Sequence, residues 1–191
     1  MLRLVIGIVV LAAVAACGRV EPEVTRTELP AMRWDHRVES EDWTKASLAA
    51  LAQHGAVLPS LVPSDIAQWC PAYPEADLAD RRAFWAGLFS ALAKHESTWN
   101  PRAVGGGGLW IGLVQIDPRT ARGHGCAARS VAELKDGVAN LNCGVRIAAN
   151  QVPKRGSVSR GMRDWGPFHS ASKRAEMSAW TRAQSYCVSD R

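Results

Sequence analysis

A carboxylate stands where an apolar helical stripe ends. Trp85, Phe89 and Leu92 are spaced by four and three residues, and the next step of four reaches Glu96. In a helix these positions share one face. Burial of that face disfavours the ionised carboxylate, and the negative end of the helix dipole does so more weakly, which predicts a raised pKa for Glu96. An acid protonated near neutral pH can donate a proton to a leaving oxygen, as glycosidic cleavage requires. The alternative is an ordinary solvated glutamate at a helix end.

Helices must position this acid, because start and stop signals recur along the chain and no alternating strand pattern of useful length is present. Capping and breaking residues predict helices over 40–55, from Asp77 or Asp80 to about Glu96, from Asp117 and Pro118, over 130–152, and over 170–187. In the fourth of these, Ser130 and Glu133 form a capping box and Pro153 ends the helix. The predicted fold class is therefore mainly α.

Four consecutive glycines, Gly105 to Gly108, interrupt the helices, and a short strand could follow them. A backbone without side chains can approach a ligand closely, so this loop is a candidate wall of a binding cleft. The alternative is a flexible loop that contacts nothing.

The first seventeen residues have the pattern of an export signal. One arginine precedes an apolar stretch and then the small residues that end in "VAAC". This predicts a lipoprotein signal peptide over residues 1–16 with lipid on Cys17, the alternative being an ordinary signal peptide with a chance cysteine. Gly18 after that cysteine is typical of lipoproteins sorted to the outer membrane. Polar residues 17–38, with two prolines, are predicted to form a tether to a domain over 39–191.

The formal net charge of +5 suits an acidic polymer or a membrane surface and is too small to indicate nucleic-acid binding. Eight tryptophans are many for 191 residues. Sugar-binding clefts use such rings, although core packing explains most of them. His124 and His169 have no ligand spacing and no CxxC pair occurs, so we predict neither a metal site nor another cofactor. His95, about 100° around the helix from Glu96, is expected to be structural.

Three segments in the second half of the chain resemble one enzyme family. "HESTWNPRAV", "GLVQIDPRTA" and "NLNCGVRI" are similar, in order and approximate spacing, to motifs of the lytic transglycosylase domain of the soluble lytic transglycosylase type. The resemblance covers roughly residues 80–170 and implies a goose-type lysozyme fold with a Gly-rich cleft loop. It also implies that Glu96 is the single catalytic acid and base. The other motif positions are expected to bind substrate: Ser97, Gly112, Leu113, Gln115 and Asn140.

The sequence departs from the family pattern in two places. The loop between Ala103 and Gly112 is one residue longer than expected. The late tyrosine motif, which helps to position the substrate, is replaced by "RDWGPFH", so that Arg163 stands where the tyrosine is expected. Trp165 is a candidate sugar platform in its place, with an ordinary packing tryptophan as the alternative.

Four cysteines besides Cys17 indicate two disulfides in an oxidising compartment, with three possible pairings. We predict Cys126 with Cys143, because this bridge joins the helix beside the cleft to the helix that follows. Cys70 then pairs with Cys187.

The resemblance implies cleavage of the MurNAc–GlcNAc β-1,4 bond of peptidoglycan with formation of 1,6-anhydro-MurNAc ends. One alternative is a muramidase that uses water, with Asp164 or Asp117 as the second carboxylate. Another is a non-catalytic peptidoglycan-binding lipoprotein, which the missing tyrosine favours and the intact Glu96–Ser97 pair opposes. The expected partners are glycan strands and, through the N-terminal lipid, the periplasmic leaflet of the outer membrane.

Overall fold

The computed structural model describes residues 29–188, and the signal peptide and lipidation site predicted at residues 1–16 and Cys17 lie outside this part of the chain. Its α-helices are α1 (Ser40–Ala52), α2 (Val57–Ser60), α3 (Ile66–Trp69), α4 (Leu78–Ser97), α5 (Pro118–Gly123), α6 (Val131–Leu134), α7 (Gly137–Arg155), α8 (Val158–Gly161) and α9 (Ala171–Arg182). The strands β1 (Val104–Gly105) and β2 (Trp110–Ile111) form an antiparallel hairpin around the glycines. The prediction of a mainly α fold is thus confirmed.

Helix α4 forms the centre of the fold. Asp77 caps its start by accepting a hydrogen bond from the Asp80 amide, and every residue from 83 to 93 is buried. Such all-round burial is typical of a helix enclosed by others, and here α1, α2 and α9 pack against it. The Trp85 indole donates to the Tyr73 hydroxyl at 2.9 Å, so a polar atom of this core is satisfied.

The helix predicted over 130–152 is two helices. The capping box of Ser130 and Glu133 starts only the single turn α6. Asp136 then caps a new helix, α7, by accepting a hydrogen bond from the Ala139 amide at 2.8 Å. Because Asp136 satisfies a free amide in the first turn of α7, a new helix begins there instead of a continuation of α6. Pro153 lies inside the last turn of α7, and Gly156, with φ of 62°, ends the helix.

Packing begins earlier in the chain than residue 39, where the domain was expected to start. Met32 and Trp34 are buried in the core. The Trp34 indole donates to Thr44 Oγ1 at 2.9 Å, and the Arg33 amide donates to Ser90 Oγ at 3.0 Å. Residues 17–38 are mostly polar, so the sequence did not indicate that two large apolar side chains among them are buried. Residues 32–34 contact α1 and α4.

Both predicted disulfides are present, Cys70–Cys187 and Cys126–Cys143. The first ties the end of α3 to the segment after α9, and the second ties the segment after α5 to α7. In the chain-entropy account they stabilise by about 5 and 3 kcal/mol respectively. No helix within residues 29–188 is both long and apolar enough to cross a bilayer.

Candidate active site

Glu96 lies in the last turn of α4 and is the candidate acid. Its Oε1 is buried and accepts no hydrogen bond from the residues that the structure describes. Burial raises the pKa of Glu96 from 4.5 to about 7, against a weaker opposing effect of the Lys173 cation on α9. A carboxyl group with this pKa can give up and take back a proton near neutral pH, which a general acid–base catalyst must do.

Ser97, the next residue, connects the end of α4 to the loop after β2. Its hydroxyl contacts the Leu113 carbonyl at 2.8 Å and the Ala93 carbonyl at 3.2 Å. The Leu113 side chain is fully buried. Both residues were expected to bind substrate, but the Ser97 hydroxyl and the Leu113 carbonyl are joined to each other and Leu113 presents no side-chain surface. The hydrogen bond between them holds the loop after β2 against α4, the helix that carries Glu96.

Asn140, which was also predicted to bind substrate, has a similar structural role. It is fully buried on α7. Its amide donates to the Ile111 and Leu134 carbonyls at 2.9 and 3.0 Å and accepts from the Val114 amide at 2.9 Å. A buried amide with three partners has little capacity left for another.

Gly112 lies directly against the side-chain amide of Asn140. Its φ is 83°, and a Cβ there would lie 2.2 Å from the Leu134 carbonyl oxygen and 2.3 Å from Asn140 Nδ2. Only glycine fits this position on both grounds. Gly112 therefore allows the loop to pack closely against Leu134 and Asn140.

Gln115 is the motif residue that reaches open space. Its backbone φ is 49°, and its Nε2 donates to the Gly112 carbonyl at 2.9 Å. The side chain lines a small pocket that also includes Trp110, Asp117, Asp164 and Trp165. Gln115 thus lies two residues beyond the carbonyl that Ser97 holds, in a pocket whose other lining residues come from β2, α5 and the residues just before it, α7 and the segment after α8.

Trp165 borders this pocket but is only 4% exposed. Its indole donates to the Val114 carbonyl at 2.8 Å, and its ring packs edge-on against Phe89 with centroids 5.9 Å apart. These contacts favour the interpretation of Trp165 as a packing residue over its interpretation as a sugar platform. Trp110, which sequence reasoning did not single out, is 52% exposed on the same pocket. The signal that could have found it is a bulky ring placed two residues after a run of glycines, whose backbone can cover little of it.

The two carboxylates considered as partners of Glu96 both line the pocket. Asp117 caps α5 by accepting from the Arg119 amide at 2.7 Å, and it pairs with Arg119 Nη2 at 2.9 Å. The hydrogen bonds from Arg119 hold the pKa of Asp117 below its usual value. Asp164 is exposed, and no residue of the described chain forms an ion pair with it.

His95 points away from Glu96, as helix geometry requires. Its Nε2 lies 2.8 Å from Glu176 Oε2 on α9. Lys94 Nζ donates to Glu176 Oε1 at 2.7 Å, and Arg33 pairs with both carboxylate oxygens. The hydrogen bonds from Arg33, then Lys94 and His95, hold the pKa of Glu176 far below its usual value. We call Arg33, Lys94, His95 and Glu176 the Glu176 cluster.

Backbone strain is concentrated beside Glu96. Within residues 29–188, the non-glycine residues with positive φ are Thr98, Trp99 and Gln115, at 51°, 55° and 49°. The left-handed region costs a non-glycine residue roughly 1–2 kcal/mol. Strain that persists in this way often marks a functional site. Here it ends α4 immediately after Glu96 and Ser97 and turns the chain at Gln115.

Comparison with known proteins agrees with this architecture. Residues 75–160 match the family described as "Transglycosylase SLT domain". Solved structures of DslA align with TM-scores of 0.75 for a wild-type form and 0.75 for a Glu-to-Gln mutant, at 24% and 23% identity, each covering 84% of this chain and 100% of DslA. A second Glu-to-Gln mutant aligns with a TM-score of 0.74 at 24% identity, with the same coverage. No curated protein matches the chain. The expected lysozyme-like fold is confirmed, since the matched domain spans α4 to the end of α7 and includes Glu96, the hairpin and Asn140.

Proposed function

We propose that this protein is a peptidoglycan lytic transglycosylase that cleaves the MurNAc–GlcNAc β-1,4 bond and leaves 1,6-anhydro-MurNAc ends. The observation that carries the proposal is the environment of Glu96, whose Oε1 is buried and has no hydrogen-bond partner in the described residues. The sequence resemblance assigns this residue the role of the family acid, and it lies within the segment that matches the transglycosylase domain. Its pKa of about 7 supports a role in which one group serves first as acid and then as base.

In the first step Glu96 donates its proton to the glycosidic oxygen as the bond from that oxygen to the anomeric carbon of MurNAc breaks. The ionised Glu96 then accepts the proton of the muramoyl 6-hydroxyl, whose oxygen bonds to the anomeric carbon. The proton has passed from the 6-hydroxyl to the leaving hydroxyl, Glu96 is protonated again, and no water is consumed. The reaction needs no second carboxylate, which agrees with the engagement of Asp117 by Arg119.

The test is the Glu96→Gln variant with mass spectrometry of digested sacculi. Glutamine keeps the size of the side chain but cannot transfer the proton, so cleavage should fall by about 10²–10⁴-fold. Glu75→Gln, at an exposed glutamate before α4, is the matched control and should keep full activity. The wild type should release muropeptides one water lighter than hydrolysed ones. Undiminished cleavage by Glu96→Gln would remove this residue from the mechanism.

Asp164, exposed on the same pocket, supports a muramidase as the second candidate. An inverting hydrolase holds its water between two carboxylates roughly 6.5–9.5 Å apart. In that case the products would end in reducing MurNAc and Asp164→Asn would abolish activity. An active Asp164→Asn variant that still forms anhydro ends excludes it. A wild type that binds sacculi without cleaving them would favour the non-catalytic lipoprotein.

We further propose that Cys17 is lipidated and that the protein is anchored to the periplasmic face of the outer membrane. The support is the sequence "VAAC" after an apolar stretch, with Gly18 following. Cys17→Ala should release the protein from membranes. A soluble periplasmic wild type would contradict the anchor and leave the enzymatic proposal untouched.

A further inference from the structure

Trp110 is a large apolar side chain that the proposed mechanism does not use. It begins β2 and pairs with Gly105 across the hairpin, and 52% of its surface is exposed. A half-exposed indole leaves apolar surface in water, and tryptophan is enriched at binding interfaces because its ring combines an apolar body with a polar N–H. Trp110 lines the same pocket as Gln115, which lies two residues after the carbonyl that the Ser97 hydroxyl contacts.

The hairpin holds this ring against its own backbone. A Cβ on Gly106 would lie 2.7 Å from two atoms of the indole, and one on Gly105 would lie 3.7 Å from the ring. Gly106 also has φ of 54°. Any larger residue at Gly106 would push the ring away, so the glycine fixes the indole as well as the turn.

The surroundings of the ring are polar. Gln115, Asp117, Thr120 and Asp164 line the same pocket, and they supply amide, hydroxyl and carboxylate groups that can bind hydroxyl groups. A ligand that fits must therefore offer an apolar face to the indole and hydroxyl groups around its edge. A pyranose ring has this chemistry, with C–H groups on its faces and hydroxyl or acetamido groups at its rim.

We propose that Trp110 is the platform on which one pyranose of the glycan strand stacks, with Gln115 and Asp164 beside it to bind the rim of that sugar. The inference rests on the proposed function for the identity of the strand, and it identifies a substrate-positioning residue. Trp110 thereby takes the role that sequence reasoning gave to Trp165, which is buried.

The test measures binding in the Glu96→Gln background, so that no cleavage disturbs it. Purified sacculi are incubated with the parent, Trp110→Ala, Trp110→Phe and Leu109→Ala, and the free protein is measured. Leu109 is the neighbouring loop residue with 47% exposure, and it does not line the pocket, so it controls for loss of exposed apolar surface. Trp110→Ala should weaken binding by roughly tenfold, as loss of an aromatic anchor does. Trp110→Phe should keep most of the affinity and Leu109→Ala all of it.

Two further readouts separate stacking from damage to the fold. Thermal unfolding of Trp110→Ala should match the parent, because the ring is half-exposed. With Glu96 intact, Trp110→Ala should raise KM and leave the Glu96 limb of the pH–rate profile in place. Unchanged binding by Trp110→Ala, or an equal loss in Leu109→Ala, overturns the proposal. A shift in oligomeric state with normal binding also overturns it, by making Trp110 a protein contact. Failure of the proposed function appears differently, as cleavage that persists in Glu96→Gln.

Discussion

Glu96 and Glu176 lie on two helices that pack together, α4 and α9, in opposite surroundings. Glu96 has a buried oxygen without a partner in the described chain, and its pKa is raised to about 7. Glu176 accepts hydrogen bonds from Arg33, Lys94 and His95, and its pKa is held far below the usual value.

The contrast arises within one turn of α4. Lys94 and His95 directly precede Glu96, yet they point to α9 because consecutive helical residues diverge by about 100°. Glu176 engages both of them there. Had the Lys94 cation turned toward Glu96, it would have favoured the ionised form of Glu96 and removed the proton that an acid needs. The ion pairs with Glu176 thus direct the positive charge of Arg33 and Lys94 away from Glu96, whose carboxyl must stay protonated to act as an acid.

The largest effect that tests this contrast is the cost of burying Glu96. The folded pKa lies above the unfolded value of 4.5. Both states are protonated below pH 4.5, and the folded state is penalised as pH rises from there through about 7. The penalty approaches about 3 kcal/mol at pH 8. Glu96→Gln removes it, so the variant should match the wild type at pH 4 and become more stable by up to about 3 kcal/mol at pH 8.

Urea unfolding at both pH values measures this gain, and Glu75→Gln, at an exposed position, should show no pH-dependent gain. A difference between Glu96→Gln and the wild type that is the same at pH 4 and pH 8 would contradict the raised pKa.

The second test opens the Glu176 cluster. Glu176→Gln removes the carboxylate that pairs with Arg33 and Lys94. It should lower the free energy of unfolding by about 1 kcal/mol at pH 7, since the carboxylate is partly exposed and screened. Because the pKa of Glu176 is lowered on folding, its contribution is present above pH 4.5, its unfolded value, and is lost as pH falls through the lower folded pKa. The loss in the variant should therefore shrink in acid.

The exposed pair of Glu41 and Lys45 on α1 supplies the control. Glu41→Gln should cause a much smaller loss, because an exposed i,i+4 pair contributes little. Equal losses in Glu41→Gln and Glu176→Gln would mean that the cluster is no more than surface charge.

The smallest effect concerns Lys173, the cation that opposes the raised pKa of Glu96. Lys173→Ala should raise that pKa further and move the alkaline limb of the pH–rate profile to higher pH. Salt should reduce the shift, since the lysine is exposed. Lys173→Arg should restore the limb, and Lys154→Ala, at an exposed lysine on α7, should leave it in place. A limb that moves to lower pH in Lys173→Ala would reverse the assigned sign.

Local pattern predicted much of this architecture. Helix periodicity placed Glu96 on the face of Trp85 and Phe89, and the raised pKa followed from that placement alone. The mainly α class followed from caps and breakers, which act over a few residues. Where two local signals competed, the prediction was wrong, as in the continuous helix over 130–152 that Asp136 interrupts.

The distribution of site roles could not be predicted, because it depends on burial by distant segments. Asn140 and Trp165 are polar or amphipathic residues in or near the family motifs, and only tertiary packing reveals that they face inward. Trp110 is exposed for the converse reason, since the glycines that precede it provide nothing to cover its outer face. Exposure of this kind has no periodic signature in a short loop.

The β1–β2 hairpin offers an attachment point for a reporter group. Its base is fixed, because Gly105 and Gly106 lie against Gln115 and Trp110, whereas a Cβ at Gly107 or Gly108 would meet nothing within 4 Å. Extra length is tolerated at such tips. A fluorophore or short epitope placed between Gly107 and Gly108 would extend into open space from the hairpin that carries Trp110. It could report the arrival of a glycan strand in real time.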